Sequence, residues 1–136
     1  MAAGKITEII ADSLRELREG YHHDPFFRLL EQDDQIIPEL IAEFRGEQDC
    51  AVREFIVEVI WQHRNPSAIP FLGEALRDEA DRVWKQALDG LVTLGSQAAL
   101  DELRAAMERP FPEHRKMVEF RSWIDEAIEQ VETKSA

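Results

Sequence analysis

An internal repeat constrains this chain more than any other feature of its sequence. With a shift of 32 residues, Ile37-Pro38-Glu39-Leu40 aligns with Ile69-Pro70-Phe71-Leu72. With a shift of 31, the apolar positions of 69–76 align with those of 100–107. Recurrence at a fixed period of about 20–50 residues is typical of architectures built from stacked units. The sequence therefore predicts an array of similar structural units.

Each unit has the pattern of two antiparallel helices. In the clearest copy, 69–99, apolar residues recur at three- and four-residue spacing in two stripes: Ile69, Leu72, Ala75 and Leu76, then Val83, Ala87, Leu91 and Leu94. Such spacing places them on one face of a helix. Pro70 suits the first turn, Asp81 is predicted to cap the second helix, and Gly95 to end it.

The predicted organisation is a single domain of 1–136. Its segments are 1–35 for N-terminal capping helices, 36–68, 69–99 and 100–132 for three repeats, and 133–136 for a polar tail. The first segment supplies an amphipathic helix over 4–19, ended by Gly20, and a short helix capped by Asp24. Residues 52–63 are apolar nearly all round, which predicts a buried helix.

This pattern resembles the bacterial HEAT-like repeat proteins, among them the short HEAT repeats of the phycobilin-lyase type. The resemblance covers 36–131 and rests on a few shared positions: Ile-Pro in the first helix, Asp78 in the turn, Val52-Arg53 and Val83 opening the second helix, Ala87-Leu88 in its middle and Leu94-Gly95 at its end. Trp84 replaces the arginine that usually follows the valine. The resemblance implies an all-α, right-handed α-solenoid of about three helix-hairpin HEAT-like repeats. A tetratricopeptide array fits less well, because its glycine lies inside the first helix.

The charge of the chain narrows the choice of partner. Sixteen Lys and Arg stand against 28 Asp and Glu, a formal net charge of −12, and no segment forms a basic stripe. Long-range repulsion then disfavours nucleic acid and anionic membranes. The predicted partner is a protein, with a basic one favoured, although an acidic excess is also ordinary for a soluble bacterial protein.

Cys50 is the only cysteine, so the chain holds no internal disulfide and no cysteine-based zinc site. That suits a reducing compartment. The sequence has neither an apolar run long enough to span a membrane nor the pattern of a signal peptide. The predicted protein is therefore a cytoplasmic monomer.

A second stripe on the inner helices predicts the partner-binding surface. Positions i, i+4 and i+8 lie along one side of a helix, which aligns two sets of three residues: Arg53, Val57 and Trp61, then Trp84, Leu88 and Val92. Resemblance to HEAT-like arrays places this stripe on the concave face, with the tryptophans as anchors, Trp123 extending it and Lys85 on its rim. Alternatively, a short array curls and these side chains fill its core.

No motif predicts catalysis, a metal or a cofactor. His22 and His23 are adjacent at a turn, His63 suits the dipole at a helix C-terminus, and His114 has no evident partner. Among enzymes built on HEAT-like arrays, deoxyhypusine hydroxylases carry repeated His-Glu pairs, and this chain has none. Alkylpurine DNA glycosylases need a basic groove, and nothing here specifies the tetrapyrrole site of a phycobilin lyase subunit.

The predicted function is a non-enzymatic protein–protein interaction module, serving as an adaptor, an inhibitor or an assembly factor. It would hold a protein segment on the concave face. The alternative is an accessory or lyase-type subunit acting on a cofactor or chromophore. A third possibility is a scaffold that binds through its convex or end surfaces.

Overall fold

The computed structural model describes residues 2–135, and all regular structure in them is helical. The α-helices of this range are α1 (Ala2–Arg18), α2 (His23–Leu30), α3 (Ile36–Gly46), α4 (Cys50–Gln62), α5 (Ile69–Ala75), α6 (Asp81–Leu94), α7 (Gln97–Ala106) and α8 (His114–Ser135), with a 3-10 turn at Pro66–Ala68. The all-α prediction is confirmed. The predicted tail 133–136 continues α8 as far as Ser135, and its last residue lies outside the described range.

The helices fall into two compact units, 1–65 and 66–136. In the first unit, α1 packs against α2 and α3, and α4 packs against α2 and α3. In the second unit, α5 packs against α6 and α7, and α8 packs against α6 and α7. Within each unit, consecutive helices therefore pair, and each helix of one pair meets its counterpart in the next.

This pairing is what stacked helix hairpins require. It extends to the N-terminal segment, because α1 and α2 pack on α3 and α4 as one hairpin packs on its neighbour. The division between the units falls at 65/66, inside the predicted first repeat of 36–68. The right-handed solenoid, the number of repeats and their boundaries stay predictions.

Local sequence signals account for three helix ends in the second unit. Gly95 ends α6 in the left-handed conformation, with φ of 54°, as predicted. Pro70 lies in the first turn of α5, also as predicted. The Ser96 hydroxyl caps α7 by accepting a hydrogen bond of 3.2 Å from the Ala99 amide.

The predicted capping role of Asp81 is wrong. α6 begins at Asp81 itself, and the preceding residue, Ala80, has no side-chain cap. The carboxylate of Asp78 orders this turn instead, accepting a hydrogen bond of 3.0 Å from the Ala80 amide. Asp81 turns toward the helix, where its carboxylate accepts a hydrogen bond of 3.1 Å from the indole nitrogen of Trp84.

The predicted burial of residues 52–63 is confirmed. α4 buries side chains around most of its axis, and only the face with Glu54, Glu58 and Gln62 is half-buried; the buried residues are Val52, Phe55, Ile56, Val57, Val59, Ile60 and Trp61. Asp49 caps the helix, its carboxylate accepting a hydrogen bond of 2.9 Å from the Ala51 amide. A helix whose apolar residues surround it has to be covered on all sides, and in the first unit α2 and α3 both pack on α4.

His63, at the C-terminal end of α4, ties that end to the rest of the first unit. Its side chain is 3% exposed. Its Nδ1 lies 3.1 Å from the Asp34 carboxylate and its Nε2 lies 3.3 Å from the Leu29 carbonyl oxygen. Asn65 donates a hydrogen bond of 2.8 Å to the other Asp34 oxygen. Both bonds lower the pKa of Asp34 from its usual value, the one from Asn65 most.

We expect Asp34→Asn to lower the free energy of unfolding at pH 7, and the loss to shrink in acid. A carboxyl whose folded-state pKa is depressed stabilises the fold above its unfolded pKa of about 3.9, and that stability is lost as the pH falls through the folded-state value. Urea unfolding of both proteins from pH 7 to pH 3 measures the difference. Asp125→Asn, on the exposed face of α8, is the control and should show no such trend. A difference that does not change with pH would contradict the assignment.

Candidate functional site

The structure buries most of the predicted partner-binding stripe. Val57 and Leu88 are buried, and Trp61 and Trp84 expose only 8% and 3% of their surface. The first three members of the stripe lie on α4 and the last three on α6, in different units. As a binding surface, the set of six stays a prediction.

The two remaining members of the stripe are half-buried. Arg53 serves its own chain, donating hydrogen bonds of 3.1 Å and 2.7 Å to the carbonyl oxygens of Glu47 and Gln48. It thereby holds the turn that precedes α4. Val92 lies in the last turn and a half of α6.

Trp84 belongs to a group of four rings in the second unit, called here the aromatic cluster: Trp84, Phe111, Phe120 and Trp123. The ring of Trp84 meets that of Phe120 edge-on at 4.9 Å and that of Trp123 edge-on at 6.2 Å. Phe111 lies 5.1 Å from Phe120. Trp123 is 41% exposed, whereas Phe120 is 1% exposed. In the aromatic cluster, Trp123 is therefore an accessible ring that packs against buried ones.

The chain positions these rings by two local devices. Phe120 and Trp123 are three residues apart on α8, so they share the face that meets α6. Phe111 lies between two prolines in the segment between α7 and α8. Pro110 and Pro112 restrict the backbone to extended conformations and keep the segment from continuing as helix.

Two cations of the chain cover the faces of these rings. The Lys85 ammonium lies 4.6 Å from the ring centre of Trp123 and 5.5 Å from that of Trp84. The Arg109 guanidinium lies 4.5 Å and 5.0 Å from the ring centres of Phe111 and Phe120. Such stacking stabilises a cation by about 0.5–2 kcal/mol, more where water is excluded.

Arg109 is also fixed to the backbone, because its Nη1 donates a hydrogen bond of 2.7 Å to the Leu76 carbonyl oxygen. Burial lowers the pKa of Arg109 from its ordinary value, and the charge of Arg77 acts in the same direction. Asp78 and Asp81 act against this. Arginine nevertheless stays charged at physiological pH, so a half-buried positive charge lies against the aromatic cluster.

A cleft of about 270 Å³ opens beside the cluster. Its lining comes from the start of α6, the segment between α7 and α8, and the first half of α8: Glu79, Asp81, Trp84, Arg109, Phe111, Pro112, Arg115, Lys116, Glu119 and Phe120. We call it the aromatic cleft. Its rings offer apolar contact, and its six charged side chains offer ion pairs and hydrogen bonds. These are the contacts by which a protein surface recognises a peptide segment.

Sequence reasoning found part of this site. It placed Trp123 beside the stripe that contains Trp84, and the structure brings the two rings together. It placed Lys85 at the rim, whereas Lys85 lies over the rings themselves. Phe111 and Arg109 were missed, although an aromatic residue between two prolines, directly after an arginine, was the available signal.

None of the four histidines lines the aromatic cleft. His22 stacks on Phe26 at 5.9 Å and meets Phe55 edge-on at 5.4 Å, and His23 contacts Phe27. Within residues 2–135, no group of three or more His, Cys, Asp or Glu side chains is arranged to hold a metal ion. In the same range, no helix is both long and apolar enough to cross a membrane.

A family model of HEAT repeats matches residues 37–119, more than half of the chain. The chain belongs to the HEAT repeat family. No curated protein and no solved structure matches it. The match begins in α3 and ends in α8, so it contains most of the aromatic cleft and leaves α1 and α2 outside, as the sequence comparison predicted. HEAT repeats commonly mediate protein–protein interaction, whereas a bacterial origin and the phycobilin-lyase type stay predictions.

Proposed function

We propose that this HEAT repeat protein is a non-enzymatic interaction module that binds a segment of another protein. The observation that carries the proposal is Trp123, which stays 41% exposed while it rests on buried rings. Residues that dominate binding energy at protein interfaces are enriched in tryptophan and arginine and lie in well-packed surroundings. Trp123 and Arg109 are such residues, because Trp123 packs on the Trp84 ring and Arg109 lines the aromatic cleft.

The mechanism of binding is burial of an apolar side chain against a surface that is already ordered. Trp84 and Phe120 are fixed in the fold, so little conformational entropy is lost there when a partner binds. An adaptor, an inhibitor and an assembly factor would all use this mode of binding.

The rest of the proposal follows from composition. A protein partner is favoured over nucleic acid, because a net charge of −12 repels phosphates at long range. A cytoplasmic monomer is consistent with the single cysteine. Of the predicted partner-binding set Arg53, Val57, Trp61, Trp84, Leu88 and Val92, only Trp84 lines the aromatic cleft.

The alternative of a lyase-type subunit gains no support from the cleft. Pockets for small molecules and cofactors usually enclose about 300–1,000 Å³, and the aromatic cleft has about 270 Å³.

Trp123→Ala is expected to weaken capture of the natural partner from a cell lysate by about tenfold or more, since truncation of a central interface tryptophan typically costs about 2 kcal/mol or more. The measurement is a quantitative pull-down with wild type and variant at equal concentration. Val118→Ala is the matched control, since it removes exposed apolar area from α8 and leaves all four rings of the aromatic cluster in place. Circular dichroism confirms that each variant is folded. Equal capture by wild type and a folded Trp123→Ala protein would contradict the proposal.

A further inference from the structure

The segment that forms most of the aromatic cleft differs in charge from the rest of the chain. Residues 109–121 contain four Lys and Arg and two Asp and Glu, whereas the whole chain carries a net charge of −12. Three of these four cations line the cleft: Arg109, Arg115 and Lys116. The fourth, Arg121, has a buried Nε with no hydrogen-bond partner among the described residues. The second unit thus contains a segment of net positive charge, although the protein as a whole is acidic.

The three lining cations form no close ion pair among the described residues, and Asp78 and Asp81 act on Arg109 only at longer range. Among residues 2–135, no carboxylate lies within ion-pair distance of Arg109, Arg115 or Lys116. The bond from Arg109 to the Leu76 carbonyl uses one of the five N–H groups of a guanidinium. A half-buried guanidinium gains more from an anion than an exposed one does, because burial has already removed part of its water.

The arrangement of the rings argues against a cationic guest. Aromatic faces attract cations, but here Lys85 already covers Trp84 and Trp123, and Arg109 covers Phe111 and Phe120. A lysine or arginine from a partner would have to displace these groups or lie beside them against their repulsion. An anionic side chain would instead approach two cations that the rings hold in place.

Three carboxylates also line the cleft, and they weaken the positive field without reversing this preference. Asp81 is engaged by the Trp84 indole. Glu79 and Glu119 are exposed, as Arg115 and Lys116 are, so these solvated charges of opposite sign partly offset one another. The half-buried charge in the cleft is the positive one of Arg109.

We propose that the aromatic cleft binds an acidic protein segment in which a large apolar side chain is flanked by Asp or Glu. This inference rests on the proposed protein-binding function and specifies the segment. The apolar side chain packs against Phe111 and Trp84, and the flanking carboxylates pair with Arg109, Arg115 and Lys116. Three cations can pair with several carboxylates, so an acidic segment with several Asp or Glu fits the cleft better than the single carboxylate of a chain terminus.

The net charge of the chain predicts a basic partner, and the cleft specifies the opposite charge. The two act over different distances. Exposed charges are screened over about 8 Å at physiological ionic strength, so the distant acids slow the approach of an acidic segment but have little effect once it lies in the cleft. The contacts inside the cleft then determine which segment stays bound.

The test uses three labelled nine-residue peptides that share a central Phe and differ only in the four residues around it, which are Glu, Gln or Lys. Fluorescence anisotropy with the full-length protein at about 0.15 M salt measures the affinities. We expect the Glu peptide to bind about tenfold more tightly than the Gln peptide, since two or three partly exposed ion pairs supply a factor of that order. The Lys peptide should bind most weakly.

Two double variants with the same change in net charge serve as the comparison. Arg115→Ala/Lys116→Ala removes two of the three cations of the cleft lining and should weaken the preference for Glu over Gln, leaving the part that Arg109 supplies. Arg104→Ala/Lys134→Ala removes cations outside that lining and should leave the preference intact.

The remaining outcomes overturn the inference. Equal binding of the three peptides, tighter binding of the Lys peptide, or no binding of any peptide would each show that the cleft does not select an acidic segment. An undiminished preference in the Arg115→Ala/Lys116→Ala protein would place the selectivity elsewhere. None of these results bears on the Trp123→Ala pull-down, which tests protein binding by itself and therefore fails or succeeds independently.

Discussion

Replacing Trp84 by alanine is expected to lower the free energy of unfolding by about 3–5 kcal/mol, the usual range for removal of a buried aromatic side chain. Trp84 is 3% exposed and contacts Phe120 and Trp123 through its ring. Its truncation leaves a cavity between α6 and α8. It also removes the hydrogen bond to Asp81 and one of the two rings beneath Lys85. A typical domain has only about 5–15 kcal/mol in total, so the loss is a large fraction of the stability.

Urea unfolding followed by circular dichroism measures this change. Trp84→Phe is the matched control, because it keeps a ring in contact with Phe120 and loses only the indole edge that bonds to Asp81. We expect it to cost clearly less than Trp84→Ala. A loss below about 1 kcal/mol for Trp84→Ala, typical of a surface substitution, would instead favour the interpretation of Trp84 as an exposed anchor of a binding groove.

The stability of Trp84→Ala distinguishes a core role for Trp84 from a role in a binding surface, and the sequence alone left both open. Spacing alone placed Trp84 on a stripe with Leu88 and Val92, and a stripe on a helix serves equally well as core or as binding surface. The structure shows Trp84 and Leu88 buried. Burial depends on which helix covers the stripe, and in the second unit that helix is α8. Its contact with Trp84 is made by residues far along the chain, which local periodicity does not report.

The features that the sequence predicted well are local ones. The apolar stripes, the first-turn Pro70 and the left-handed Gly95 each follow from constraints within a few residues. The burial of α4 was predictable for the same reason, since a helix that is apolar on all sides has no solvent face. The match to the HEAT repeat family over 37–119 covers the part of the chain in which this local pattern of apolar stripes recurs.

The features that sequence reasoning missed arise from competition between neighbours or from irregular segments. Asp78 and Asp81 both offer a carboxylate to the turn before α6, and composition does not show that Asp78 takes it. Phe111 lies where the third repeat departs from the pattern, so alignment with the earlier repeats gave it no counterpart. The aromatic cleft forms at this irregularity, which is why half of the site was found and half was not.

The second large effect is expected at Ile56, in the middle of α4. Ile56 is fully buried in the first unit, where α4 packs against α2 and α3. Ile56→Ala removes three carbon atoms from a site where no side chain can move in without disturbing its own packing. We expect the free energy of unfolding to fall by about 2–5 kcal/mol, against about 0.5–1.5 kcal/mol for Ile56→Val, which removes a single methyl group.

The graded pair separates packing from helix propensity. Alanine is the better helix former and valine the poorer one, so propensity alone would make Ile56→Ala the more stable variant, and packing predicts the reverse order. Val57→Ala and Val59→Ala, which project from α4 in other directions, should also destabilise the protein, because both residues are fully buried. Denaturant unfolding of the four variants measures the order. If any one of these three alanine variants proved neutral, that side of α4 would be open, and α4 would be an amphipathic helix with a free face for a partner.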